Sequence, residues 1–211
     1  MAKHLVWDWN GTLLDDFEAV VAASSAAVVA LGGTAFDGAT HREKYRRPIT
    51  DFYNEQLGRE LTEAEFERLN ELFHSGYLER IAECRLAEGA LEAVTGWNGT
   101  QSLLSMWRHA DLVPLVTRFG LAEHFARVDG LRATDHGGKH RYLVAHLSEL
   151  NVQATEVVMI GDSVDDADAA VAAGAGCVLY SGGTTSERLL RATGFPVVDT
   201  LAEAVETARL G

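Results

Sequence analysis

Apolar positions along the chain follow two rhythms. His4-Leu5-Val6-Trp7-Asp8 is a short apolar run closed by a carboxylate and followed by the Asn10-Gly11-Thr12 turn. It predicts a buried strand ending at Asp8. Val157-Val158-Met159-Ile160 predicts a second, over Glu156 to Ile160, ending at Gly161-Asp162. Weaker strand patterns cover Thr100 to Ser105, Arg127 to Val128, Cys177 to Tyr180 and Pro196 to Val198. Between them the period lengthens to that of helices: Asp16 to Leu31, Ala110 to Phe119, Lys139 to Leu150, Asp165 to Ala173, Ser186 to Ala192 and Leu201 to Leu210. Asp15 has Glu18 three residues on, the spacing of a capping box, and Gly32-Gly33 stops that helix. Strands alternating with helices imply a parallel sheet covered on both faces.

The stretch from Phe36 to Glu88 breaks this alternation. It is strongly charged, and Leu61, Phe66, Leu69, Leu72, Phe73, Tyr77, Leu78 and Ile81 fall on one helical face. The pattern predicts a small all-helical insert without strands.

Composition narrows the classes. The chain has 211 residues, 47% hydrophobic and 23% charged, with 18 Lys+Arg against 31 Asp+Glu for a net charge of −13. That apolar content supports a packed core and excludes a disordered chain. The acidic balance disfavours a nucleic-acid partner. The longest apolar stretch, Ala19 to Leu31, is too short for a bilayer and is interrupted by Ser24 and Ser25. No signal peptide is expected, and Cys84 and Cys177 lack pairing or ligand spacing, so they read as reduced thiols of a cytoplasmic protein.

In an open parallel sheet, ligands bind beyond the carboxyl ends of the strands at the switch point. Here two predicted strands end in carboxylates, Asp8 and Asp162, and a third ends in the Ser105 hydroxyl. Asp8 precedes a glycine-containing turn whose N–H groups can face an anion, and such an aspartate can act as a nucleophile. Asp162, Asp165, Asp166 and Asp168 place four carboxylates within seven residues. These hard oxygens suit Mg²⁺, although taken alone the cluster is better explained by capping of the next helix, with Asp162 or Ser163 at the N-cap and Asp165 and Asp166 in the first turn. Lys139 opens a helix, where a cation is electrostatically misplaced unless an anion meets it.

Asp8-Trp9-Asn10-Gly11-Thr12-Leu13-Leu14-Asp15, Ser105, Lys139 and Gly161-Asp162-Ser163-Val164-Asp165-Asp166 resemble, in order and spacing, the motifs of the haloacid dehalogenase-like hydrolases, nearest the phosphoglycolate phosphatase-like branch. The resemblance implies an α/β fold: a Rossmann-like three-layer core with a parallel sheet from residues 1–15 and 91–211, and an inserted helical cap over 16–90. It implies Asp8 as the phosphoryl-accepting nucleophile, with Mg²⁺ held by Asp8, the Asn10 carbonyl and Asp162. Ser105 and Lys139 would steady the transferring group, Thr12 would support the first motif, and Asp166 would support Lys139 or a metal-bound water. The implied substrate is a small phosphorylated metabolite.

One position departs from the pattern. The family's phosphatases carry Asp two residues after the nucleophile as general acid and base, and this chain has Asn10. An amide cannot exchange a proton at neutral pH, and such help is worth roughly 10²–10⁴-fold. A slow phosphatase, an enzyme for good leaving groups, and a non-catalytic protein binding a phosphorylated ligand or a protein partner all stay open. So, lower in rank, do a dehalogenase and a phosphonate hydrolase, the latter needing a cap lysine that only Lys44 supplies. His140 replaces a common Pro. The basic run Arg42, Lys44, Arg46, Arg47 either faces an anionic substrate or is solvated, and His136 with His140 is a poor zinc pair because Gly137-Gly138 separates them. Trp7 is expected in the core; Trp9 packs there or lines the site.

Overall fold

The structure, a computed structural model, describes residues 2–133 and 137–210. In chain order the elements are β1 (His4–Trp7), β2 (Leu14–Asp15), α1 (Phe17–Ala30), α2 (Gly38–Lys44), α3 (Ile49–Leu57), α4 (Glu63–Ile81), β3 (Arg85–Leu86), α5 (Ala90–Thr95), β4 (Thr100–Arg108), α6 (His109–Arg118), β5 (Val128–Leu131), α7 (His140–Leu150), β6 (Val157–Gly161), α8 (Val164–Ala173), β7 (Gly176–Tyr180), α9 (Glu187–Ala192), β8 (Val197–Val198) and α10 (Leu201–Leu210).

Six strands form one sheet in the order β5-β4-β1-β6-β7-β8, every neighbouring pair parallel. The order reverses beside β1, which lies between β4 and β6. Burial on both faces explains why the strands read as unbroken apolar runs. Leu5, Trp7, Leu103, Val158 and Ile160 pack on one face with α5, α6 and α10. Val6, Leu104, Val157 and Met159 pack on the other with α7 and α8. This is the three-layer α/β architecture expected from the alternating pattern.

Polar residues also tie the core. His4 Nε2 and His146 Nε2 lie 2.7 and 2.8 Å from Ser102 Oγ, and His146 Nδ1 lies 2.8 Å from Asp129 Oδ2. Burial pushes the His4 pKa down to about 4, so the ring is neutral. Neutral rings complete the chain: His146 donates to Asp129 and accepts from Ser102, which accepts from His4. The spacing resembles a hydrolase triad, but Ser102 has 0% exposure and cannot meet a substrate.

Helices α1 to α4 form a layer of their own. Ala27, Val28, Phe52, Tyr53, Phe66 and Leu69 make a separate core there. Thr62 caps α4 in a full capping box with Glu65. His41 is fully enclosed by rings, stacked on Tyr45 at 4.9 Å with Phe17 and Phe52 edges at 5.7 and 5.3 Å. Of the predicted apolar face, Phe66, Leu69, Tyr77 and Ile81 are buried, whereas Leu78 is exposed.

Three expectations need correction. The insert is not free of strands, because Arg85–Leu86 pairs antiparallel with Leu14–Asp15. A two-residue strand carries no period to read. Asp15 is not the N-cap of α1; it lies in β2, and Asp16 takes the N-cap position without a side-chain bond to its own helix. Finally, β4 continues past Ser105 to Arg108, with its pairing to β5 irregular after Leu104. Ser105 therefore lies within the strand, where regular pairing stops.

Candidate active site

The turn after β1 sets the site. Trp9 O accepts from the N–H groups of Thr12, Leu13 and Leu14 at 3.3, 3.0 and 2.9 Å. Gly11 takes φ +74°, a region that disfavours any side chain, and a Cβ there would lie 2.5 Å from Asp162 Oδ2. Trp7 and Trp9 are both fully buried, so Trp9 packs rather than lines the site. Asp8, directly after β1, then faces Asp162, directly after β6, across the switch point.

Donors fix Asp162 on both oxygens. Thr12 Oγ1 donates to Oδ1 at 3.0 Å, and the N–H and Oγ1 of Thr184 each donate to Oδ2 at 2.6 Å. Gly183 must be glycine, since a Cβ would collide with this carboxylate. Thr184 was not anticipated; the Gly182-Gly183 pair before it, signalling close backbone approach, was the available clue.

Asp166 serves two structures at once. It completes a capping box with Ser163 at the start of α8, so the capping explanation for the acidic cluster is correct for this residue. Its other oxygen accepts from Lys139 Nζ. Lys139 Nζ also reaches Asp8 Oδ1 at 2.5 Å. Lys139 is the N-cap residue of α7, which begins at His140, and its N–H donates to Asp165 at 3.0 Å. Burial opposes its charge, but Asp166 and Asp8 outweigh burial and hold its pKa above the ordinary lysine value. The cation misplaced in sequence thus has two carboxylates in space.

The remaining predicted residues join them. Ser105 Oγ donates to Asn10 Oδ1 at 3.2 Å, and Asn10 Nδ2 donates to Asp16 Oδ2 at 2.7 Å and Tyr77 OH at 2.8 Å. Asp16 accepts also from the Gly11 N–H at 2.8 Å and from Tyr77 OH at 2.5 Å. Burial raises the Asp16 pKa to about 6, against the opposing bonds from Asn10 and Tyr77. The structure therefore brings together Asp8, Asn10, Thr12, Ser105, Lys139, Asp162 and Asp166, and adds Asp16, Tyr77 and Thr184.

Asp8, Asp162 and Asp166 each offer an oxygen within 4.8 Å of the others, all buried. Burial raises the Asp8 pKa well above the carboxylate range despite Lys139. Burial and then Asp166 raise Asp162. Buried carboxylates converging on one point form an all-oxygen donor set that fits a hard divalent ion.

The basic run splits. Lys44 and Arg46 pair with Glu55 at 3.1 and 2.6 Å, and Arg42 donates to Gly183 O at 2.9 Å while lying 4.0 Å over the Phe17 ring. Arg47 alone of the four lines the site, 3.4 Å from Asp165. Lys44, ion-paired and half-exposed, is no Schiff-base candidate. His136 of the zinc pair lies outside the described residues.

A cavity of about 630 Å³ lies between the strand ends and helices α1 to α4, lined by Asp8, Asn10, Ser105, Lys139 and Asp162 at one end. No described helix is long and apolar enough to cross a membrane.

Comparison with known proteins agrees. The family model described as haloacid dehalogenase-like hydrolase matches residues 2–174. A phosphoglycolate phosphatase of Mesorhizobium japonicum is 28% identical over 197 residues, 88% of this chain and 85% of its own. One of Chromobacterium violaceum is 25% identical over 224 residues, 99% of this chain and 97% of its own. A crystal structure described as a predicted phosphatase from Clostridium acetobutylicum superposes with a TM-score of 0.86 at 14% identity, covering both chains completely. With the fold, the acidic switch point and a family match over most of its length, the chain belongs to the haloacid dehalogenase-like hydrolases.

Proposed function

We propose that the protein is a phosphatase that hydrolyses phosphate monoesters of small metabolites through an aspartyl-phosphate at Asp8, in a core of residues 1–15 and 91–211 capped by 16–90. The observation that carries this reading is the buried cation of Lys139, which lines one end of the cavity with Asp8 and bridges Asp8 to Asp166. The two relatives named phosphoglycolate phosphatases support it along nearly the whole chain.

Asp8 attacks phosphorus in line with the ester oxygen, which leaves with the electron pair of the broken P–O bond. Lys139 and the Ser105 hydroxyl stand where negative charge grows on the transferring group. Water then attacks the phosphorus of the acyl phosphate, releasing phosphate and restoring the Asp8 carboxylate. Asp8, Asp162 and the Asn10 carbonyl would hold Mg²⁺, which when bound lowers the charge of the phosphoryl group and keeps Asp8 ionised. Asn10 gives no proton to the leaving group, because its amide donates to Asp16 and Tyr77 and has no ionisable hydrogen at neutral pH.

Phosphate release from acetyl phosphate and aryl phosphates by the wild type and Asp8→Asn, with Mg²⁺ or with chelator, tests the reading. Turnover is expected only with Asp8 and Mg²⁺ together. Undiminished turnover in Asp8→Asn overturns it. Asn10 also favours a second reading, a protein that binds phosphorylated ligands without turnover; retention of a phosphate ester with no phosphate release by any variant would select it.

A further inference from the structure

The cavity is too large and too apolar for a two-carbon phosphate. At ~30 Å³ per water, its volume of about 630 Å³ holds roughly 20 waters, within the range that encloses drug-sized ligands. Beyond the phosphate end, Tyr45, Phe66, Phe73 and Tyr77 from the helical layer and Trp107 from β4 form the walls. Tyr77 meets Trp107 edge-on at 5.5 Å and lies parallel to Phe73 at 5.7 Å.

The polar atoms on these walls are neutral. Trp107 Nε1 and His74 Nδ1 are buried and have no hydrogen-bond partner among the described residues. Burial lowers the His74 pKa to about 4, so its ring carries no charge. Of the cavity's arginines, Arg47 pairs with Asp165 at 3.4 Å in a largely buried setting, while Arg108 and Arg132 make exposed pairs with Asp111 at 2.7 Å and Asp129 at 3.4 Å. Away from the carboxylates, that arrangement offers a largely aromatic surface.

Asn10 points the same way from the chemistry. Without a proton donor, the ester oxygen must leave as a stable anion, which an aromatic oxide does and an alkoxide does not. Resting on the phosphatase reading above, we infer that the cavity takes the phosphate monoester of an aromatic hydroxyl, its ring lying against the aromatic wall to which Phe73, Tyr77 and Trp107 contribute. Asp8 Oδ bonds to phosphorus, the phosphorus–aryl oxygen bond breaks, and the pair leaves on the aryl oxide. Water hydrolyses the acyl phosphate, and its proton goes through solvent to the aryl oxide. The sum is aryl phosphate plus water to phenol plus phosphate.

The test is kcat/KM for the wild type on 1-naphthyl phosphate, phenyl phosphates of graded leaving-group acidity, benzyl phosphate as a ring of similar size with an alkoxide leaving group, and phosphoglycolate. The aryl esters are expected to exceed benzyl phosphate and phosphoglycolate by about 10²–10⁴-fold, the range of general acid catalysis forgone, with a steep dependence on leaving-group acidity. Asn10→Asp should flatten that dependence. Phe73→Ala should raise KM for 1-naphthyl phosphate more than for acetyl phosphate, which has a good leaving group but no ring. Phosphoglycolate turned over as well as the aryl esters, or a flat leaving-group dependence, overturns the inference while Asp8-dependent phosphate release leaves the phosphatase reading standing. Absence of Asp8-dependent release from every ester overturns both.

Discussion

Asn10 lies 2.7 Å from the Oδ2 of Asp16, a carboxylate with 2% exposure, and that neighbour sets what the position tolerates. An Asp here would put two buried carboxylates within hydrogen-bond distance, and both cannot ionise. Asn10→Asp is expected to lose about 1–3 kcal/mol, the range for a buried polar group deprived of its partner, with a larger loss at pH 8 than at pH 5. Asn10→Asp combined with Asp16→Asn returns one carboxylate and one amide to the pair and should recover most of it. Urea denaturation of the three proteins at the two pH values checks this. The adjacent pair Asp15-Asp16 explains why the role of Asp16 escaped a reading of the chain: both fit a cap. In space Asp16 is distinguished by the bonds it accepts from Asn10, Gly11 and Tyr77, the last far along the sequence on α4. Asp8, Asp162 and Lys139 were legible because motif order carries their pairing. Thr184 and Arg47 were not assigned a place at the site because their contacts depend on tertiary packing.

At the scale of elements, α8 shows structure and site sharing one residue. Ser163→Ala removes the cap, where such losses are typically about 1 kcal/mol, and frees Asp166 from the Ser163 hydroxyl bond of 2.6 Å. A thermal shift and weakened Mg²⁺ affinity measured by calorimetry are expected together. The helical layer has its own pH dependence. Burial depresses the His41 pKa from 6.5 to about 4. The folded state then binds fewer protons than the unfolded chain between those values, so this stability is full above pH 6.5 and is lost as pH falls toward 4. At 1.36 kcal/mol per unit the loss is about 3 kcal/mol, and His41→Leu should flatten the stability–pH profile over that window. Most helices and the six strands of the main sheet were readable from apolar runs and period; β2, β3 and the end of β4 were not, because two residues or a broken register leave no periodic trace.

For the molecule as a whole, part of the acidic charge is gathered, buried, where the sheet order reverses: Asp8, Asp162 and Asp166. Lys139, with 3% exposure, is the cation that offsets Asp8 and Asp166 there. Removing one partner of such a buried cluster is destabilising by about 3–5 kcal/mol. Lys139→Met should show that loss in chelator, and added Mg²⁺ should return part of it through binding to the folded state alone. Thermal denaturation with and without Mg²⁺ reads both.

The small ladder of Leu14–Asp15 with Arg85–Leu86 has a further meaning. The chain leaves the sheet layer and comes back to it at neighbouring points, and Ala87 N–H bonds Leu13 O just inside that gate at 2.9 Å. Whatever lies between can lengthen, shorten or be exchanged over evolutionary time without moving a single strand register. Descendants of such a chain can therefore change which molecules they admit while inheriting the same reaction, so selectivity and chemistry diversify at separate rates.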